Sequence, residues 1–234
     1  MRYPRVLIYG LLCTAACSQS AMAQRLPQVD STVHAFMRHY HVPGMAIAVT
    51  HHGKLVYAKG YGYADTSRKT MVTVNSLFRI ASVSKSITAT AILKLAEAGK
   101  LSLDAAVFGE TGVLGTTYGH LPYPPHLTKI TIRQLLQHTA GGWTNNGADP
   151  MFSEPGMTAG QLISWTIDHQ PLENTPGAVY AYSNFGYCIL GRIIEKVSGM
   201  PYAVYVKKAV LQPCGINDMQ IGGNTLAQRK ANEV

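Results

Sequence analysis

Charge is scarce in this chain: Asp, Glu, Lys and Arg make up 14% of its 234 residues, against 47% hydrophobic ones. That balance excludes a charge-driven disordered segment, and no low-complexity tract or internal repeat interrupts an ordinary globular composition. Acidic residues are the scarcer sign, 12 against 20 basic, for a formal net charge of +8. The basic residues, such as Arg38, Lys54, Lys59, Arg68 and Lys207, are scattered rather than interleaved with aromatics. Nucleic-acid binding needs such a stripe, so no nucleic-acid partner is expected. A modest attraction to anionic substrates or an anionic envelope surface is as far as the charge goes.

Cysteine is also rare. Cys13 and Cys17 lie near the N-terminus, leaving Cys188 and Cys214. Two cysteines could pair in an oxidising compartment, but Cys188 sits in an apolar helical run where a thiol packs as a small hydrophobe. Metal-ligand spacing is missing: His51-His52 and His39-Tyr40-His41 have no carboxylate motif such as H-E-x-x-H beside them. There is no G-x-S-x-G, so a nucleophile-elbow hydrolase is not supported. Gly60-Tyr61-Gly62 is strand text without the following helix that phosphate binding requires. Neither metal nor cofactor is expected. Beyond the first residues no apolar run is long enough to cross a bilayer.

That first stretch reads as an export signal. Arg2 and Arg5 give a basic start, residues 6–16 are apolar, and Ala21-Met22-Ala23 before Gln24 matches a signal peptidase site. Residues 1–23 are therefore expected to be a signal peptide and 24–234 a single domain, periplasmic or secreted, with no retained membrane span. A lipoprotein is the minor alternative, because Thr14-Ala15-Ala16-Cys17 is a poor lipobox.

Periodicity and punctuation give an α+β order. A helix is expected from Asp30, as N-cap, to Tyr40, then a hairpin from Met45–Thr50 and Leu55–Tyr63 around His51–Lys54. A helix from Ser82 to about Ala98 is apolar almost all round, which predicts burial. Residues 105–129 read as loop, and helices follow at 130–137, 158–169, 184–198 and 202–211.

Ser82 and Lys85 open that apolar helix. Their spacing puts both side chains on one helical face. A serine hydroxyl is a poor nucleophile until a base removes its proton, and a lysine serves as that base where its surroundings disfavour the ammonium form. A first-turn lysine on a buried helix would be partly desolvated. By itself the tetrapeptide is a weak signal, since Ser and Lys are common enough to produce one by chance. Two other segments strengthen it. Tyr182-Ser183-Asn184 stands at the mouth of a later helix, and His138-Thr139-Ala140-Gly141 ends a short amphipathic one.

In this order and at these separations the segments resemble the serine β-lactamase-like family, which includes class C β-lactamases, D,D-carboxypeptidases and related esterases. Ser82-Val83-Ser84-Lys85 is similar to its S-x-x-K motif, Tyr182-x-Asn184 to its Y-x-N motif, and His138–Gly141 to its H-T-S-G segment. The text Lys59–Asp65 and Leu190–Gly199 is similar as well. The resemblance implies a β-lactamase/transpeptidase-like α+β fold. It implies Ser82 as nucleophile, Lys85 and Tyr182 as proton-transfer groups, and Asn184 as a substrate-binding amide. Either Lys85 or Tyr182 could take the first proton. Ser82 at a helix N-terminus gains from the dipole, which favours developing negative charge. His138 would orient a loop.

The family's third motif, K-T-G or H-x-G, does not follow Asn184. In the family that strand supplies half of the oxyanion hole, and losing one such donor lowers turnover by roughly two to three orders of magnitude. The resemblance therefore implies an incomplete domain whose C-terminal strands and helix are missing. Two readings follow. One is a serine acyl-enzyme hydrolase of β-lactam, D-alanyl peptide or ester substrates, small-molecule or peptidoglycan-like. The other is a catalytically impaired or silent module that still recognises penicillin-like ligands.

Overall fold

The computed structural model describes residues 27–145, 149–154, 156–223 and 225–234. The expected export signal, with Cys13 and Cys17, lies outside the described residues. The chain falls into two compact units, one of residues up to Phe78 together with Lys230–Val234, the other Arg79–Arg229.

In the first unit, helix α1 (Pro27–Tyr40) precedes strands β1 (Gly44–His51), β2 (Lys54–Asp65) and β3 (Thr70–Met71), ordered β1-β2-β3. β1 and β2 run antiparallel from Gly44 opposite Gly62 to His51 opposite Lys54, with an irregularity between Val49 and Thr50. The hairpin turns on His52 and Gly53, both at positive φ (48° and 71°), the twist that two-residue hairpin loops need. The tail returns here too: Leu77 and Glu233 form a parallel bridge, and the Val234 N–H donates to the Leu77 carbonyl at 2.8 Å.

Asp30 is not the N-cap that the sequence predicts. It lies inside the first turn of α1, where its carboxylate accepts hydrogen bonds from Tyr57 Oη at 2.9 Å, Lys59 Nζ at 2.7 Å and Tyr61 Oη at 2.7 Å. Residues 57, 59 and 61 alternate along β2 and so share one face. The two buried tyrosines also hydrogen-bond each other.

The second unit is helical: α2 (Ser84–Glu97), α3 (Ile132–Leu136), α4 (Pro150–Ser153), α5 (Ala159–His169), α6 (Asn184–Ser198) and α7 (Tyr202–Val206), the last running on into a π-helical turn over Lys207–Leu211. Thr131 and Thr158 start α3 and α5 with full capping boxes to Gln134 and Gln161. Because Thr131 is the cap, α3 is shorter than the 130–137 expectation. The core gathers Ile92 and Leu95 of α2, Leu135 of α3, Ile163 and Ile167 of α5, and Phe185, Ile189 and Ile193 of α6. Residues 105–126 are irregular, as expected, but Leu127–Lys129 form a 3₁₀ turn, and Val107, Phe108, Leu114 and Leu127 from this stretch are buried in the same core.

Helix α2 corrects a prediction. Only Thr88, Ala91, Ile92 and Leu95 are buried, one stripe at helical spacing, while Leu93 is half exposed. Alanines make a helix read as apolar on every side without requiring that every side be covered. Cys188 and Cys214 are free thiols. Among the described residues no helix is long and apolar enough to cross a membrane, and no cluster of His, Cys, Asp or Glu is arranged to hold a metal ion. The architecture is β-lactamase/transpeptidase-like: an N-terminal helix, a small antiparallel sheet and a helical region.

Candidate active site

Ser82 lies in a single 3₁₀ turn, Ala81–Val83, that leads directly into α2. The residue before it, Ala81, has φ of 42°, a left-handed conformation that costs a non-glycine residue on the order of 1–3 kcal/mol. Such strain concentrates where a side chain must be aimed, and here it precedes the exposed hydroxyl of Ser82. Lys85 follows in the first turn of α2 and is half buried. Its Nζ donates to Ser82 Oγ at 3.2 Å and to Asn184 Oδ1 at 2.6 Å.

Tyr182 arrives from a hundred residues along the chain. Its hydroxyl donates to Ser82 Oγ at 2.8 Å, and Lys85 Nζ stands 4.8 Å from its ring centroid. The backbone around it is fixed from three directions. The Asn145 N–H donates to the Tyr182 carbonyl at 3.1 Å, and the Ala181 N–H to the His138 carbonyl at 2.7 Å. The Ser183 N–H donates to His138 Nδ1 at 3.1 Å. Ser183, not Asn184, caps α6, accepting the Gly186 N–H on its side chain at 2.9 Å. That leaves the Asn184 amide at the first helical position free for other partners.

His138 sits at positive φ (60°) just past α3, its ring 4.5 Å from that of Tyr182. Burial, and then the neighbouring Lys85, push its pKa down. A neutral imidazole is what the geometry requires, since Nδ1 must accept the Ser183 N–H. His138 thus orients the loop that carries Tyr182.

The phenol of Tyr182 is shifted below its ordinary range. Lys85 contributes most, then the Ser82 hydroxyl; burial and the Asp149 carboxylate oppose them. A cation and a hydrogen-bonding partner both favour the phenolate. A tyrosine poised this way can exchange a proton with the serine it touches.

Asp149 is the participant that sequence reasoning missed. Only 5% exposed, it accepts from Asn184 Nδ2 at 2.7 Å on one carboxylate oxygen and from the Met151 N–H at 3.0 Å on the other, capping α4. The available signal was Asp149-Pro150, an N-cap followed by a proline at the first helical position. That pattern marks the start of a helix and says nothing about a partner 35 residues away.

The structure brings together all four residues singled out in the sequence: Ser82, Lys85, Tyr182 and Asn184. Ser84 takes no part in the cluster; its carbonyl accepts the Thr88 hydroxyl at 3.3 Å inside α2.

Known proteins are similar to this chain in sequence and in fold. The Beta-lactamase family model matches residues 29–232. Protein flp of Staphylococcus aureus (strain NCTC 8325 / PS 47) is 31% identical over 186 residues, covering 80% of this chain and 36% of that protein. Esterase EstB of Burkholderia gladioli is 31% identical over 214 residues, covering 85% of this chain and 51% of its own length. Among solved structures, an octameric penicillin-binding protein homologue from Pyrococcus abyssi superposes with a TM-score of 0.72 at 30% identity, over 88% of this chain and 46% of that one. The chain therefore spans between about a third and a half of the length of these proteins. Matched by the family model over nearly all its described residues, the chain belongs to the Beta-lactamase family.

Proposed function

We propose that this chain carries the nucleophile half of a serine acyl-enzyme hydrolase acting on an ester, a β-lactam or a D-alanyl peptide. One observation supports it above the rest: Ser82 Oγ lies within hydrogen-bond reach of both a lysine amine, at 3.2 Å, and a phenol of lowered pKa, at 2.8 Å. Nucleophile and base within that reach are the geometric requirement for covalent catalysis.

In the reaction, the Ser82 Oγ–H proton passes to the base, Tyr182 as its phenolate or Lys85 as its neutral amine, as Oγ bonds to the substrate carbonyl carbon. The carbonyl π pair moves onto its oxygen. Collapse of that intermediate expels the alcohol or amine, which takes up the proton, and leaves an acyl-Ser82 ester. Water then attacks the ester, giving its proton to the same base; collapse breaks the bond to Ser82 Oγ, which takes that proton back, and releases the carboxylic acid. Asn184 holds Lys85 against the serine. An ester substrate is preferred slightly, since the relative from Burkholderia gladioli is an esterase.

The chain spans only part of its relatives' length, and the second reading is a module that acylates slowly or only binds. Incubation of the chain with p-nitrophenyl esters, a chromogenic cephalosporin and a fluorescent penicillin separates the two. A hydrolase turns over at least one substrate and carries an acyl label on Ser82, and Ser82→Ala abolishes both. Turnover that survives Ser82→Ala would defeat the proposal. Label without turnover would select the silent module. Export belongs to the same proposal: expression in a bacterial host should yield a periplasmic or secreted product beginning at Gln24, read by N-terminal sequencing.

A further inference from the structure

Asn184 faces two groups of opposite chemistry. Its Oδ1 accepts from Lys85 Nζ at 2.6 Å, and its Nδ2 donates to Asp149 Oδ2 at 2.7 Å. Lys85 Nζ is the donor in its contact and an ionised carboxylate offers only acceptors, so the reverse amide orientation would set donor against donor at Lys85 and acceptor against acceptor at Asp149. The carboxylate is therefore what decides which way this amide points. Asp149 is itself pinned, because its other oxygen caps α4 through the Met151 N–H at 3.0 Å. Among the described residues of the helical unit it is also the one buried carboxylate.

We propose that Asp149 is a positioning residue of the acylation site: it fixes the Asn184 amide so that its oxygen faces Lys85, and through that amide holds the amine against Ser82. The inference rests on the hydrolase reading for its kinetic consequence, though not for its geometry. One Asn184 N–H is committed to Asp149, so the amide has a single N–H left for a substrate. Asn184 then serves the lysine first and the substrate second. Asp149 touches no reacting atom and acts only through its neighbour.

A helix-capping role alone makes a different prediction. Serine and asparagine are good N-caps, so Asp149→Ser and Asp149→Asn should both preserve α4. Serine is too short to reach Asn184. Asparagine keeps the shape but loses the charge and one acceptor. If Asp149 only caps, both variants acylate like the wild type. If it positions Asn184, Asp149→Ser lowers the rate of Ser82 labelling by a fluorescent penicillin about tenfold to a hundredfold, the value of one hydrogen bond to a charged group. In Asp149→Asn the acid limb of the labelling rate against pH also moves to lower pH, because the carboxylate opposes the lowering of the Tyr182 phenol. The other titratable groups around that phenol, Lys85, His138, Tyr180 and Tyr187, are unchanged by the substitution.

The geometry has a readout independent of activity. In ¹H–¹⁵N spectra of the full chain, with Asn184→Ala used for assignment, the two Asn184 side-chain protons should be widely split in the wild type. They should collapse to the ordinary solvent-exposed values in Asp149→Ser. A split pair that collapses, together with slowed labelling, upholds the inference. An amide pair that Asp149→Ser leaves unchanged overturns it, as does wild-type labelling in both variants. A chain that takes no label defeats the hydrolase reading instead, and the amide signal then decides alone: a split pair that collapses upholds the Asp149 contact, and an ordinary one overturns it.

Discussion

Two polar networks in this chain each join an aspartate, a lysine and a tyrosine, and they push the phenols of Tyr61 and Tyr182 in opposite directions. In the sheet unit Asp30, Lys59, Tyr57 and Tyr61 close on one another; in the helical unit Ser82, Lys85, Tyr182, Asn184 and Asp149 do so. Burial first, then hydrogen bonds to Tyr57 and Asp30, raise the phenol of Tyr61 above its ordinary range. Lys85 first, then Ser82, lower that of Tyr182. The difference lies in what each phenol meets. Tyr61 donates to an anion, which needs the proton to stay, and Lys59 is drawn onto that same carboxylate at 2.7 Å. Tyr182 donates to a neutral hydroxyl under a lysine, with the carboxylate kept one amide further away. A carboxylate in direct contact makes a lock, and one behind an amide leaves the phenol available for proton transfer.

Removing the phenolic hydroxyl in each unit sharpens that contrast. Tyr182→Phe should slow acylation of Ser82 about a hundredfold, the low end of what a positioned acid–base group contributes, while leaving the urea midpoint near that of the wild type. Labelling with a fluorescent penicillin measures the first and a urea titration the second. Tyr61→Phe should do the reverse. It strips a buried hydrogen bond to a carboxylate, costing about 1–2 kcal/mol in the same titration, with no change in the labelling rate. If Tyr61→Phe slowed labelling as strongly as Tyr182→Phe, the division into a lock and a site would be wrong.

The sequence makes some of this legible and hides the rest for physical reasons. Ser82 and Lys85 are separated by the spacing that a helix turns into contact, and Tyr182 and Asn184 flank the start of another helix, so local pattern suffices to name them. The same holds for α3 and α5, whose Thr-x-x-Gln boxes lie within four residues. Asp149 is different. Its pairing with Asn184 is purely tertiary, and its local pattern is already explained by the cap of α4. Asp30 fails for a related reason: an acidic residue near a helix start satisfies both the N-cap and the first-turn rule, and only the tyrosines of β2 decide between them. The burial of α2 misleads because composition reports how apolar a helix is, whereas the position of α6 decides which stripe is covered.

The smallest expected effect is also the one that reads both networks in a single experiment, the dependence of stability on pH. Lys59 and Tyr61 together hold Asp30 at about 2, below the ordinary aspartate value of about 3.9 in an unfolded chain. A carboxyl with a lowered pKa stabilises the fold fully above the unfolded value and loses that contribution as pH falls toward the folded one, so the sheet unit should weaken between about pH 4 and pH 2. Tyr61 has the opposite sign. Its raised phenol contributes below the ordinary tyrosine value of about 10, and the contribution is lost as pH climbs beyond it. Tyr182, lowered, gains where Tyr61 loses: in mild alkali the phenolate is better accommodated folded than unfolded, by a small amount because the group is only half buried. Urea titrations across acid and alkaline pH, with hydrogen exchange separating amides of β1 and β2 from those of α6, should therefore show the strands loosening in alkali before the helix does. Tyr61→Phe should remove the alkaline loss from the strands and Asp30→Asn the acid one. If α6 weakened first in alkali, or if neither substitution flattened its limb, the phenols would not be held in the opposed environments on which the lock and the site both depend.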